Sequence, residues 1–209
     1  VETQQICDDL YAEGFSAVAL HGDLDQRERE RTLIRFANKS ACILVATDVA
    51  ARGLDINDMD MVVNYHLAHD PQTHVHRVGR TGRAGKKGIA CSIYGEAEQF
   101  KVAQIGDHYE RDFDPEPIPP FSLLEKPAYK PTMATIMIDA GKKQKIRAGD
   151  ILGALTGKEG IAGHQVGKIN VLDNVAFIAV ERAAAKPALR KLTEGNIKKR
   201  KIRARRLSR

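Results

Sequence analysis

Short apolar runs alternate with helix-like segments through the first half of this chain, and that alternation constrains the fold more than any other feature. Strand character is found at 16–20, 43–46, 59–65 and 88–94. Helical character is found at 2–12, 24–37, from Asp70-Pro71 onward, and at 96–109. Gly14 can stop the first helix, and Asp70-Pro71 supplies a side-chain cap followed by a first-turn proline. Strands that alternate with helices imply a parallel sheet covered on both faces. Ligands of such sheets bind outside the carboxyl ends of the strands. Thr47-Asp48 stands at such an end, where it can also simply cap the following helix.

The alternation breaks at residues 111–131, which hold six of the eight prolines. Such a segment is extended and semi-rigid, and marks a domain boundary. A different pattern follows. Strand 132–139 leads through a basic loop to helix 148–155. Strands 166–172 and 175–180 meet at Asp173-Asn174, then come helix 183–192 and strand 197–207. This βαββαβ order is the ferredoxin-like arrangement used by RNA-recognition motifs (RRMs). The expected organisation is therefore one domain over 1–110, a proline-rich linker over 111–131, and an RRM-like α+β domain over 132–209.

Charge follows the same division. The formal net charge is +6, but residues 1–110 carry −5, the linker −1, and residues 132–209 carry +12. So concentrated a positive charge is a footprint for a polyanion, with RNA as the expected partner; a solvated basic face is the alternative. No apolar run approaches the ~20 residues of a membrane span, so no membrane partner is expected. No signal-peptide pattern is visible, and Cys7, Cys42 and Cys91 lack ligand spacing. They read as reduced thiols of a cytoplasmic protein. Val1 falls inside the first helical pattern, so the first domain reads as N-terminally incomplete.

Two stretches carry chemistry. Residues 76–83, HRVGRTGR, place Arg77, Arg80 and Arg83 at successive three-residue spacings with Gly79 and Gly82 between them. On a helix, side chains three apart share a face, which sets two guanidinium groups side by side. Guanidinium is suited to planar, bidentate contact with phosphate oxygens. A solvated basic turn is the other reading. Upstream, 44–56 runs LVATDVAARGLDI, a buried strand followed by a polar stop and a short turn holding Gly53 and Asp55. His66, His69, His74 and His76 lack a cysteine or carboxylate partner at matching spacing, and no metal site is expected.

In this order the two stretches resemble motifs V and VI of the DEAD-box RNA helicases. The family's QxxR element is matched by Gln26 and Arg29, preceded by His21-Gly22-Asp23. The resemblance implies an α/β, RecA-like domain, the second of a helicase core, with a parallel sheet and helices on both faces. It implies that Arg80 and Arg83 are arginine fingers on the γ-phosphate of an ATP, bound with Mg2+ and held mainly by a first RecA-like domain. Asp55 would bind the ribose, Gly53 would give backbone access, and His76 would link the ATP and RNA sites. Gly22, Gln26, Arg29 and Thr47 would contact RNA phosphates. Taken alone, Gln26 and Arg29 equally suit a solvated, charge-dense helix face. No GxxxxGK[ST] loop and no Asp-Glu-Ala-Asp run occur in the 209 residues, so they are not expected to hydrolyse ATP unaided.

The C-terminal pattern departs from ordinary RRMs. Strands 134–139 and 174–180 carry only one aromatic, Phe177, where a base-stacking sheet presents two or three. Binding is expected instead from Lys142, Lys143, Lys145 and Arg147, joined by the basic segment 198–206, with Gly141 admitting close approach. GKK at 141–143 and GDILGALTG at 149–157 resemble the C-terminal domain of DbpA-type helicases. That resemblance implies remodelling of large-subunit ribosomal RNA, on pre-ribosomal particles, during ribosome assembly. The competing readings are a helicase of cold-shock or messenger-decay type, or a non-catalytic RNA-binding module. Intact Arg80, Arg83 and Asp55 argue against the last.

Overall fold

The computed structural model describes residues 2–51, 56, 59–82, 85 and 87–208. In chain order the elements are α1 (Glu2–Ala12), β1 (Ala17–Leu20), α2 (Gln26–Ala37), β2 (Ile43–Ala46), α3 (Asp48–Ala51), β3 (Met61–Asn64), α4 (Pro71–Val78), β4 (Ile89–Ser92) and α5 (Gln99–Tyr109). They continue with β5 (Met133–Ile138), α6 (Ala148–Thr156), β6 (Val166–Val171), β7 (Ala176–Glu181), α7 (Ala185–Glu194) and β8 (Ala204–Arg206). The chain forms two compact units, one of Val1–Arg52 with Leu124–Arg209 and the other of Gly53–Leu123.

In the first unit, β1 and β2 pair in parallel, from Ala17 opposite Ile43 to Leu20 opposite Ala46. α1 covers them through Cys7 and Leu10, packed with Ala17, Ala19, Ile43 and Val45. Gly14 ends α1 at φ +86°, a left-handed conformation that glycine adopts without steric cost. α2 begins at Gln26, two residues later than periodicity suggests, because Asp25 caps it. The Asp25 carboxylate accepts from the Glu28 N–H at 2.8 Å, and Glu28 accepts from the Asp25 N–H at 3.1 Å.

The rest of this unit is the expected βαββαβ module, an antiparallel sheet in the order β6-β7-β5-β8. Side chains alternate across each strand. Ala134, Ile136 and Ile138 of β5, with Ala176, Ile178 and Val180 of β7, face the helices and pack on Ile151, Leu155, Ala188 and Leu192. Each large side chain buried here contributes roughly 1.5–3 kcal/mol. The last strand is shorter than its sequence suggests, with only Ala204–Arg206 pairing to β5. Lys198 (φ 51°) and Lys199 (φ 64°) turn into left-handed backbone and interrupt the extended run.

In the second unit, β3 and β4 pair in parallel from Met61 opposite Ile89 to Asn64 opposite Ser92. α4 opens as expected, with the Thr73 N–H and hydroxyl both donating to the Asp70 carboxylate at 2.8 Å and Pro71 in the first turn. It closes earlier than the sequence suggests, at Val78, with Gly79 as its cap. Arg80 therefore lies on the turn beyond the helix, and Arg77 and Arg80 do not share one helical face. Gly82 (φ 66°) takes the chain out of helical geometry altogether.

Candidate functional site

Parallel pairing sets the carboxyl ends of β1 and β2 side by side, and three of the sequence candidates gather there. The Thr47 N–H donates to the Leu20 carbonyl at 3.3 Å, which joins the two strand ends. Thr47 is exposed and caps α3, its hydroxyl accepting from the Ala50 N–H at 3.3 Å. A hydroxyl that accepts one bond still has a proton to donate, so the cap leaves Thr47 able to contact an anion. Gly22 is exposed on the turn after β1, with open space where a Cβ would stand. Arg29 reaches from the second turn of α2 to the His21 carbonyl (3.5 Å) and the Ala50 carbonyl (3.3 Å). Both contacts are long for a guanidinium, which leaves donors to spare. Gln26 is exposed at the first position of α2.

α4 carries the second group. His76 projects to the exposed side, and His74 is buried on the opposite side with its ring edge-on to Tyr109 at 6.0 Å. Burial, reinforced by nearby Arg77, holds the His74 imidazole below its ordinary pKa. Sequence reasoning gave Arg77 no role, yet it anchors the helix. Its Nη1 donates to the His66 carbonyl (2.7 Å) and to Asn64 Oδ1 (3.2 Å). Asn64 is buried and donates in turn to Ser92 Oγ at 3.1 Å, so α4 is tied to both strands of the ladder. Beyond the helix, the Arg80 carbonyl accepts from the Met59 N–H at 3.3 Å, and the Thr81 hydroxyl donates to the Met59 carbonyl. The half-buried Arg80 thus sits on a braced turn. Gly53, Asp55 and Arg83 lie outside the described residues. Among the described residues, no group of three or more His, Cys, Asp or Glu could hold a metal ion.

The C-terminal module presents a third group. Lys142, Lys143, Lys145 and Arg147 are all exposed, while Ile146 between them plugs into the core at 2% exposure. The Lys142 and Lys143 N–H groups donate to the carbonyls of Leu172 and Asp173 at 2.8 and 2.9 Å. Gly141 does admit a close approach, but by this backbone: a Cβ there would stand 2.1 Å from the Leu172 oxygen. Lys198 adds a clamp, its ammonium on the Lys145 carbonyl (2.8 Å) and the Asp150 carboxylate (3.0 Å). The side-chain bond from Lys198 and the backbone bond from Arg147 hold Asp150 below the usual carboxylate range. The backbone of the basic loop is therefore held by these bonds, and its four cationic side chains are exposed. Phe177, by contrast, is only 2% exposed.

Residues 1–85 match the helicase conserved C-terminal domain, and residues 135–206 match the DbpA RNA binding domain. The ATP-dependent RNA helicase DbpA of Escherichia coli is 47% identical over 98% of this chain and 44% of its own length. The chain belongs to the DbpA-type DEAD-box helicases. Its counterpart from Bacillus subtilis is 32% identical, over 84% of this chain and 41% of that protein. The chain thus spans less than half the length of these DbpA relatives. The solved structure of the E. coli DEAD-box protein SrmB, bound to regulator of ribonuclease activity A, matches 62% of this chain and 75% of its own, at 31% identity and a TM-score of 0.54. The fold is accordingly α/β and RecA-like, followed by the βαββαβ module that matches the DbpA RNA binding domain. Gly22, Gln26, Arg29, Thr47, His76 and Arg80 all fall within the matched helicase domain, and the basic loop within the matched RNA-binding domain. Among the described residues, no helix is long and apolar enough to cross a membrane.

Proposed function

We propose that this chain is the C-terminal part of an ATP-dependent RNA helicase that remodels large-subunit ribosomal RNA in pre-ribosomal particles of the cytoplasm. Residues 1–110 act as the second RecA-like domain, 111–131 as the linker and 132–209 as the RNA-recruiting domain. The observation that carries this reading is the loop in the DbpA-type module, which exposes four cations while its backbone is bonded to Leu172 and Asp173. A loop backbone already bonded in place lowers the ordering cost of gripping phosphates.

In the helicase domain, Thr47, Gly22, Gln26 and Arg29 would hold RNA phosphates, which position a strand without reading its bases. Arg80 and Arg83 would face the γ-phosphate of ATP. The sequence has no phosphate-cradling loop, so a first domain would supply it and the Mg2+ site. Arg80 fits the role, because its turn is braced by Met59 and its helix is locked by Arg77 through Asn64. A guanidinium positioned in this way stabilises charge as the phosphoryl group transfers, worth ~10³–10⁵ in rate. Asp55 and Gly53 would hold the ribose, and His76, exposed on α4, would couple RNA to nucleotide.

The test is binding of the 209-residue chain to hairpins of large-subunit ribosomal RNA and to unrelated hairpins. The ribosomal hairpins should bind more tightly. Changing Lys142, Lys143 and Lys145 together to Gln should flatten the dependence of log K on log salt by about 2–3, at ~0.7–0.9 per phosphate. An unchanged salt slope in the triple variant would remove the loop from the RNA interface.

A further inference from the structure

The βαββαβ sheet has a second face that the helices do not cover. Thr135 and Met137 of β5, with Phe177 and Ala179 of β7, alternate with the core residues and point to it. A sheet face left to solvent would expose these side chains. Instead, Thr135 is 0% exposed and Met137, Phe177 and Ala179 are 2% each.

Over Thr135 the cover comes from the corner between α2 and β2, in the same compact unit, while Arg205 of β8 lays its guanidinium on the Met137 sulfur at 3.8 Å. Ser40 Oγ lies 2.7 Å from Thr135 Oγ1, and Asn38 Nδ2 donates to the same oxygen at 3.3 Å. Asn38 and Ala41 are themselves buried, at 3% and 2%. A second fastening lies further along, where Lys130 Nζ donates to the Gly14 carbonyl at 2.6 Å. Residues 14–41 thus meet the C-terminal half of the unit at two separated points, Thr135 within the module and Lys130 just before it.

We infer that the sheet face of the RRM-like module is an internal docking surface for the α2–β2 corner, closed to RNA bases. Thr135 is its keystone, a hydroxyl that serves two partners from the middle of an apolar face. One consequence rests on the proposed RNA contacts of α2. That helix has 12 residues and spans about 18 Å. Its N-terminal end bears Gln26 and Arg29, and its C-terminal end is seated on the module. α2 is then a strut through which RNA held at Arg29 and RNA held by the basic loop share one rigid frame. The docking itself requires no RNA, so it stands or falls separately from the proposed function.

The experiment is solvent attenuation of methyl signals in the 209-residue chain by a soluble paramagnetic agent. In the wild type, the methyls of Thr135 and Met137 should be attenuated no more than those of Ile136 and Ile178, and far less than those of the exposed Leu152. Ser40→Lys places a long cation against the face and should bring Thr135 and Met137 to the level of Leu152, while Ile136 and Ile178 stay protected. Thr135→Val keeps the shape and removes both hydrogen bonds. It should speed amide exchange at 38–42 without changing the β5–β7 ladder. Attenuation of Met137 at the Leu152 level in the wild type would overturn the docking. Continued protection in Ser40→Lys, with normal exchange at 38–42 in Thr135→Val, would remove the corner as its occupant.

Discussion

Two glycines 12 positions apart should respond to the same substitution with opposite signs. At Gly141 an added Cβ would stand 2.1 Å from the Leu172 oxygen and 2.8 Å from the Asp173 oxygen, both backbone atoms that no rotamer change can move aside. Relief requires the loop to retreat from Leu172 and Asp173, breaking the bonds from the Lys142 and Lys143 N–H groups. Each contributes about 1 kcal/mol, and overpacking adds roughly 1–3 kcal/mol. Gly141→Ala should therefore cost about 3–5 kcal/mol. At Gly153, inside α6, nothing lies within 4 Å of the Cβ position. Alanine is favoured over glycine in a helix by about 1 kcal/mol, so Gly153→Ala should stabilise by that amount. Native-state hydrogen exchange at the amides of β5 and β7 reads both. At 1.4 kcal/mol per tenfold, protection should fall at least ~100-fold in Gly141→Ala and rise ~5-fold in Gly153→Ala. Wild-type protection in Gly141→Ala would refute the reasoning, because the loop would then yield without cost.

The other predictions concern α4 and the sheet. Arg77→Ala should loosen α4 from β3 by about 1–3 kcal/mol, since the buried Asn64 loses a partner; faster amide exchange in α4 checks this, and in the longer helicase ATP turnover should fall with it. His74 is held below its ordinary pKa, so the folded state binds fewer protons than the unfolded state below about pH 6.5. The stability of α4 on α5 should therefore fall as pH drops from there, and His74→Phe should abolish that slope in exchange measured against pH. Phe177→Ala should cost about 3–5 kcal/mol in urea unfolding, yet leave hairpin affinity of the folded protein within ~2-fold of wild type. A larger affinity loss would return the sheet to the RNA interface.

What local sequence determines is visible in α4, in the β1–β2 ladder and in the βαββαβ order. Asp70-Pro71 fixes where α4 starts, because a capping carboxylate and a proline without an N–H suit only that position. Period-2 alternation in β5 and β7 marks Ile136 and Ile178 for the helix-covered core. The ends of α4 and β8 were less legible. Three-residue arginine spacing suggests a helix through Arg80, but spacing carries no information about where the backbone departs, and Gly79 closes the helix at Val78. The basic run from Lys198 reads as extended until its left-handed residues are seen. Tertiary structure alone decided which polar residues are structural. Arg77 and Arg80 have the same chemistry, and only packing shows that Arg77 is bonded to His66 and Asn64. Gly141 accommodates Leu172 rather than a ligand, and Thr135 is paired with Asn38 and Ser40 from about 95 residues away in sequence. The physical reason is range. Caps, turns and alternation are set by neighbours within a few residues, whereas a hydroxyl on a sheet face takes its partner from whatever surface the folded chain brings against it.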